Sequence, residues 1–176
     1  MTSVRTKFRK SSMMYSYVII IVLESIMLAG ISFSLMYYVK TADLNMLRVK
    51  AYGIACNVRE HILEMYSLAM LADRPLNGRY MLAAVYLNLP SRLGEHGYRI
   101  HVGDVDSDGI YDVIVDVYDV GCRAYVSCLL EMSEKLLFNG QITGLAGICS
   151  IACYIYDNGT ILFTLSNSEV LCHVKS

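Results

Sequence analysis

MMYSYVIIIVLESIMLAGISFSLMYYV, from Met13 to Val39, is the stretch on which the reading of the whole chain turns. Its 27 residues carry a single charge, Glu24. As a helix rising about 1.5 Å per residue it spans roughly 40 Å, enough to cross a ~30 Å hydrocarbon core with some tilt. A buried helix of a soluble domain is seldom apolar on every face for this length. A secretory signal core runs only about 7–15 residues and precedes a small-residue cleavage site, and this stretch does neither. The expectation is therefore a retained transmembrane helix over 13–39. Tyr15 and Tyr17 at one end and Tyr37 and Tyr38 at the other suit the two interfaces.

The flanks give a direction. Arg5, Lys7, Arg9 and Lys10 crowd the N-terminal side, whereas Lys40, Arg48 and Lys50 are more scattered on the other. Positive charge favours the cytoplasmic side. Residues 1–12 are thus expected to be a basic cytoplasmic leader, with the C-terminal part outside the cell in a single-pass topology. Glu24 lies near mid-span, where a lone carboxylate costs on the order of 2.5–3.5 kcal/mol by insertion scales. Two readings stay open. Either it is a protonated acid facing lipid or a neighbouring serine, or it meets a polar or cationic group on another helix. Small residues permit close helix approach, so Glu24, Gly30 and Ser34 are candidate assembly residues. The lipid bilayer is one expected partner, and further copies or similar subunits are another.

Beyond the span, Leu44, Leu47, Ala51, Ile54, Val58, Ile62, Met65, Ala69 and Ala72 recur every three or four residues, one apolar stripe at helical period. The helix is expected to continue amphipathically over 40–73, its stripe packing on a sheet or facing other copies. Arg74-Pro75-Leu76-Asn77-Gly78 carries stop signals. The period then shifts towards two. Strands are expected at Tyr80–Leu89, Tyr98–Gly103, Ile110–Tyr118, Arg123–Leu130, Ile148–Tyr156, Thr160–Ser166 and Val170–Val174, with Ser133–Phe138 ambiguous. Tyr111, Val113, Val115 and Val117 alternate with Asp112, Ile114, Asp116 and Tyr118, as in a half-exposed strand. Asp157-Asn158-Gly159 between two apolar runs signals a hairpin. The fold class is α+β: a long N-terminal helix, half transmembrane and half amphipathic, packed on an antiparallel β head over 74–176.

Composition narrows function. Apolar residues make up 55% and charged residues 18%, a balance set by the N-terminal span. A net charge of -1 offers no basic field for nucleic acid. There is no Gly-x-Ser-x-Gly, phosphate loop or dinucleotide fingerprint. His61, His96, His101 and His173 have no metal-ligand spacing. No enzyme activity is expected.

Three features remain. Asp104-Val-Asp106-Ser-Asp108-Gly109-Ile-Tyr-Asp112 places carboxylates at alternate positions before a glycine, which lets a tight loop aim hard oxygens at one cation. Val115 stands where an EF-hand has its bidentate glutamate, and the flanks read as strands. The motif therefore suggests a calcium-stapled loop between strands, with Asp104, Asp106, Asp108 and Asp112 as ligands and calcium as a structural ion. An acidic solvated turn is the alternative. Six cysteines, Cys56, Cys122, Cys128, Cys149, Cys153 and Cys172, are an even number in an expected external domain and thus candidate disulfides. Buried free thiols are the other reading. Asn158-Gly159-Thr160 is a glycosylation acceptor sequence on an expected turn.

Lys7-Phe8-Arg9-Lys10-Ser11-Ser12, running directly into the apolar span, resembles the leader of archaeal type IV pilin-like proteins. So does Leu89-Pro90-Ser91-Arg92-Leu93-Gly94, followed by Gly97-Tyr98-Arg99-Ile100, a segment such proteins place after their long helix. The resemblance implies a cell-surface structural protein, a pilus or minor-pilin subunit with a β head. Two features depart from that pattern. Ser11 and Ser12 stand where the family's leader is cut after Gly or Ala, and Glu24 lies too deep to be the glutamate near the start of many mature pilins. A membrane-tethered extracellular binding module, or an accessory subunit of an envelope complex that does not polymerise, is the other reading of the same layout.

Overall fold

The computed structural model describes residues 3–144 and 147–167, with side chains from Tyr15 onward. A single helix, α1 (Ser3–Leu71), opens the chain. Among the described residues eight strands follow: β1 (Arg79–Leu87), β2 (Tyr98–Gly103), β3 (Ile110–Val117), β4 (Cys122–Glu131), β5 (Leu136–Gly140), β6 (Ile142–Thr143), β7 (Cys149–Tyr156) and β8 (Ile161–Ser166). The chain divides into two compact units, Met1–Asp43 and Leu44–Ser176.

In the first unit every described side chain is exposed. Ser25, Ser32 and Thr41 turn their hydroxyls back onto the carbonyls of Ile21, Leu28 and Tyr37, at 2.8, 2.8 and 2.9 Å. Such bonds satisfy a hydroxyl within its own helix.

The second unit is the β head, and its core is built around the helical stripe. Leu47, Ala51, Ile54, Val58, Ile62, Met65 and Ala69 are all buried, and Ala55 joins them. They form one apolar cluster with residues of β2, β3, β4, β7 and β8. Of the two uses open to the stripe, packing on the head's own strands is the one realised. The helix stops at Leu71, before Pro75, as its punctuation requires.

The strands form two four-stranded sheets, in the orders β1-β7-β8-β5 and β4-β3-β2-β6. The pairing is antiparallel except for β5 against β8, which is parallel. This is the expected α+β arrangement, its head antiparallel apart from that one contact and divided between two sheets. The ambiguous 133–138 stretch yields β5, which lies along β8, and the chain then passes at once to β6 on the edge of the other sheet. Aromatic rings join the two sheets. Tyr111 lies 4.6 Å from Phe138, Phe138 stacks on Phe163 at 5.0 Å, and the Tyr111 hydroxyl donates to the Leu136 carbonyl. The expected strand at 170–174 lies outside the described residues.

β3 also differs from its expected half-exposure. Asp112 and Ile114 are as buried as Val113 and Val115. β3 is an interior strand, and Ile114 stands in register between His101 of β2 and Tyr125 of β4, whose side chains flank it. The Asp157–Thr160 turn joins β7 to β8 as expected. Only Gly159 of the Asn-Gly pair takes left-handed backbone, at φ 81°.

Candidate functional site

The segment Leu89–Ile100 leads from β1 into β2. The Tyr98 ring is fully buried and its hydroxyl donates to the Pro90 carbonyl at 2.5 Å. Burial pushes the Tyr98 phenol up to about 12, so it acts as a permanent donor. Leu93 and Ile100 are buried, and Gly94 turns the chain at φ 64° close to Leu47. Gly144 packs against the Tyr98 ring; a Cβ there would lie 2.3 Å from it. The short motif is thus a packing device. Beside it lies a groove of about 420 Å³ walled by Lys50, Ile54 and Asn57 of α1 and by Leu89, Pro90 and Arg92.

The acidic loop connects β2 to β3. Oxygens of Asp104, Asp106 and Asp108 lie within 4.8 Å of one another. The loop is held by its own backbone: the Ser107 and Gly109 N–H groups donate to Asp104, and the Ile110 N–H donates to Asp108. Ser107 and Gly109 adopt positive φ, which folds the carboxylates to one side. Asp112 does not belong to that cluster. It sits buried at the start of β3 and accepts from the Val105 N–H at 3.1 Å. Burial raises the Asp112 carboxyl above its ordinary range. The Val105 hydrogen bond pulls it back, and the charges of Asp106, Asp108 and Asp104 push it up again. Each oxygen that accepts an N–H keeps a second lone pair, so this hard, all-oxygen set fits calcium in chemistry. The structure brings Asp104, Asp106 and Asp108 together and leaves Asp112 apart from them, on the Val105 N–H.

Among the described residues the cysteines form no disulfide. Cys56, Cys122, Cys128, Cys149 and Cys153 are free thiols; Cys172 lies outside the described residues. Geometry explains part of this. Cys149 and Cys153 share β7 at a separation of about 13 Å, and Cys122 and Cys128 share β4 at about 20 Å, whereas a disulfide needs Cα atoms within about 7 Å. Cys56 is held to the head by apolar packing. Burial pushes the Cys128 thiol up to about 11 and the Cys153 thiol up to about 12.

Asn158 is exposed at the β7–β8 turn, its side-chain carbonyl accepting from the Thr160 N–H at 2.9 Å. Glu24, Gly30 and Ser34 are exposed along α1, but not together. At about 100° per residue, Gly30 and Ser34 share one face while Glu24 points roughly 80–120° away.

One cluster escaped the sequence reading. Asp116 on β3 accepts from Arg123 Nε at 2.6 Å and from Arg99 at 3.3 Å, with His101 Nδ1 3.7 Å away. Burial pushes the Asp116 carboxyl up, but hydrogen bonds from Arg123 and Arg99 and the charges of Arg123 and His101 outweigh it and hold the group below the usual carboxylate range. Arg99, Asp116 and Arg123 form a cross-strand row that becomes visible only once the register is known.

The fold and these features define a class: an α+β protein with a single N-terminal apolar helix, long enough to cross a bilayer, which suggests membrane anchoring. Comparison with family models, curated proteins and solved structures finds no match.

Proposed function

We propose that this chain is a pilin-like structural protein of the cell surface, held by one transmembrane helix with its N-terminus in the cytoplasm and its β head outside. One observation carries the reading. An 18-residue window of α1 has mean hydropathy 2.4, and none of it is buried against the rest of the protein. So much exposed apolar surface is far more stable in lipid than in water. The amphipathic part of the same helix supplies the head's core, so anchor and head share one element. The role is structural rather than catalytic, and the leader, the helix and the Leu89–Ile100 segment support a pilin-like assembly. In this reading the 104–112 loop holds one structural calcium ion.

Carbonate washing of native membranes, protease accessibility of the head and N-terminal sequencing test the proposal together. It expects a chain retained by the membranes, a head cleaved only from outside, and filaments containing the chain. A chain washed off by carbonate would refute the anchor. A chain that stays in membranes and never enters filaments would refute the pilin-like role and favour the tethered module. For the ion, extracellular loops of this kind have dissociation constants near 10⁻⁴–10⁻³ M, so about 5 mM calcium should stabilise the head by roughly 1–2 kcal/mol. Removing calcium with chelator should lower the melting temperature of the wild type but not of an Asp106→Ala, Asp108→Ala variant.

A further inference from the structure

Glu24 is the only charged residue between Ser11 and Val39. It is exposed on α1, and no hydrogen bond or ion pair joins it to another described residue. Its own helix offers it little. The adjacent hydroxyl, Ser25, is already donated to the Ile21 carbonyl, and Ser32 is turned onto Leu28. The positions that share its face, Ile20, Leu28 and Ile31, are apolar.

Once the helix is in a bilayer, which is the reading proposed above, Glu24 lies about 3 Å from mid-span. A carboxylate at that depth is satisfied by a partner and not by solvent. A second copy in register can bring only another Glu24. The nearest basic residues of a copy, Lys10 and Lys40, lie about 21 and 24 Å away along the helix, so reaching them would slide most of one apolar span out of the hydrocarbon.

We propose that Glu24 docks a different membrane protein, one whose transmembrane helix carries a lysine or arginine at the same depth. Charge complementarity selects this partner. The bulky neighbours on the Glu24 face set side-chain packing around the ion pair, while Gly30 and Ser34 lie on another face and are not needed for it.

The test uses the full-length chain, fluorescently labelled, in phosphatidylcholine vesicles. Acceptor-labelled synthetic Leu/Ala helices carry a single Arg, or Leu in its place, at the depth of Glu24. Energy transfer should report association at least tenfold tighter with the Arg helix than with the Leu helix. That preference should vanish in Glu24→Leu. In Glu24→Lys it should return with a helix carrying Glu at the same depth, which also shows that the variant inserts. Equal association with both helices, or a preference that survives Glu24→Leu, overturns the proposal. So does Glu24-dependent energy transfer between copies of the chain alone, which would mean self-pairing. Loss of the chain from carbonate-washed vesicles is a separate result: it removes the anchor, and the docking proposal falls with it.

Discussion

Replacing Ile62 by alanine is the sharpest test of the claim that the helical stripe is the head's core. Ile62 is fully buried in the centre of the stripe. The substitution removes three carbons, worth about 2.4 kcal/mol in lost transfer free energy at about 0.8 kcal/mol each, and leaves a cavity that relaxes only in part. The expected destabilisation is about 3 kcal/mol, within the 2–5 kcal/mol range typical of Ile→Ala in cores. For a head of about 130 residues this lowers the melting temperature by roughly 12 °C. Glu64, two residues on, points away with its side chain 73% exposed, so Glu64→Ala should change stability by less than about 0.5 kcal/mol. Thermal unfolding of the two variants in the same detergent, followed by circular dichroism, gives the comparison. Equal shifts for Ile62→Ala and Glu64→Ala would refute the packing and return the stripe to contacts between chains.

Gly144→Ala should cost about 1–3 kcal/mol, because the new methyl runs into the rigid Tyr98 ring; a Tyr98→Leu, Gly144→Ala double variant should recover part of the loss in denaturant titration. Without reductant, denatured protein should accept thiol reagent at Cys56, Cys122, Cys128, Cys149 and Cys153, whereas in the native state at pH 8 Cys128 and Cys153 should stay unmodified, as peptide mass mapping would show. The head should lose stability in two acid steps. Burial lowers the His101 pKa against the pull of Asp116, helped by the charges of Arg99 and Arg123, so the unfolded chain protonates first. Its contribution is present above about pH 6.5 and is lost as the pH falls below that, by under about 1 kcal/mol, and His101→Gln should flatten this step. The depressed Asp116 pKa adds stability above about pH 3.9 that disappears as the pH drops through its lower folded value, a step that Asp116→Asn should remove.

The helix, its stop and most strands could be read from the chain because their signals are local. Apolar spacing marked the stripe from Leu47 to Ala69, proline and glycine marked the stop after Leu71, and Asp157-Asn158-Gly159 marked a turn. What could not be read depends on pairing between distant segments. β5 and β6 are five and two residues long, too short for a clear period, and the parallel β5–β8 contact joins residues 25 apart. The double burial of β3 depends on its neighbours and not on its own alternation. In the acidic loop, the Asp104–Asp106–Asp108 cluster was legible from spacing, but the separate, buried place of Asp112 on the Val105 N–H was not. Cysteine count gave no pairing, because two thiols on one extended strand look close in sequence and lie far apart in space.

Gln141 is the sole residue between β5 and β6, so a single link separates strands that belong to different sheets. Gly140 makes that crossing tight: at φ 87° its Cα faces the Leu165 carbonyl with no room for a side chain. Neither sheet can peel away without dragging an edge of the other. The head is therefore expected to melt as one cooperative body, with the slowest-exchanging amides of β3 and β7 losing protection at the same denaturant concentration.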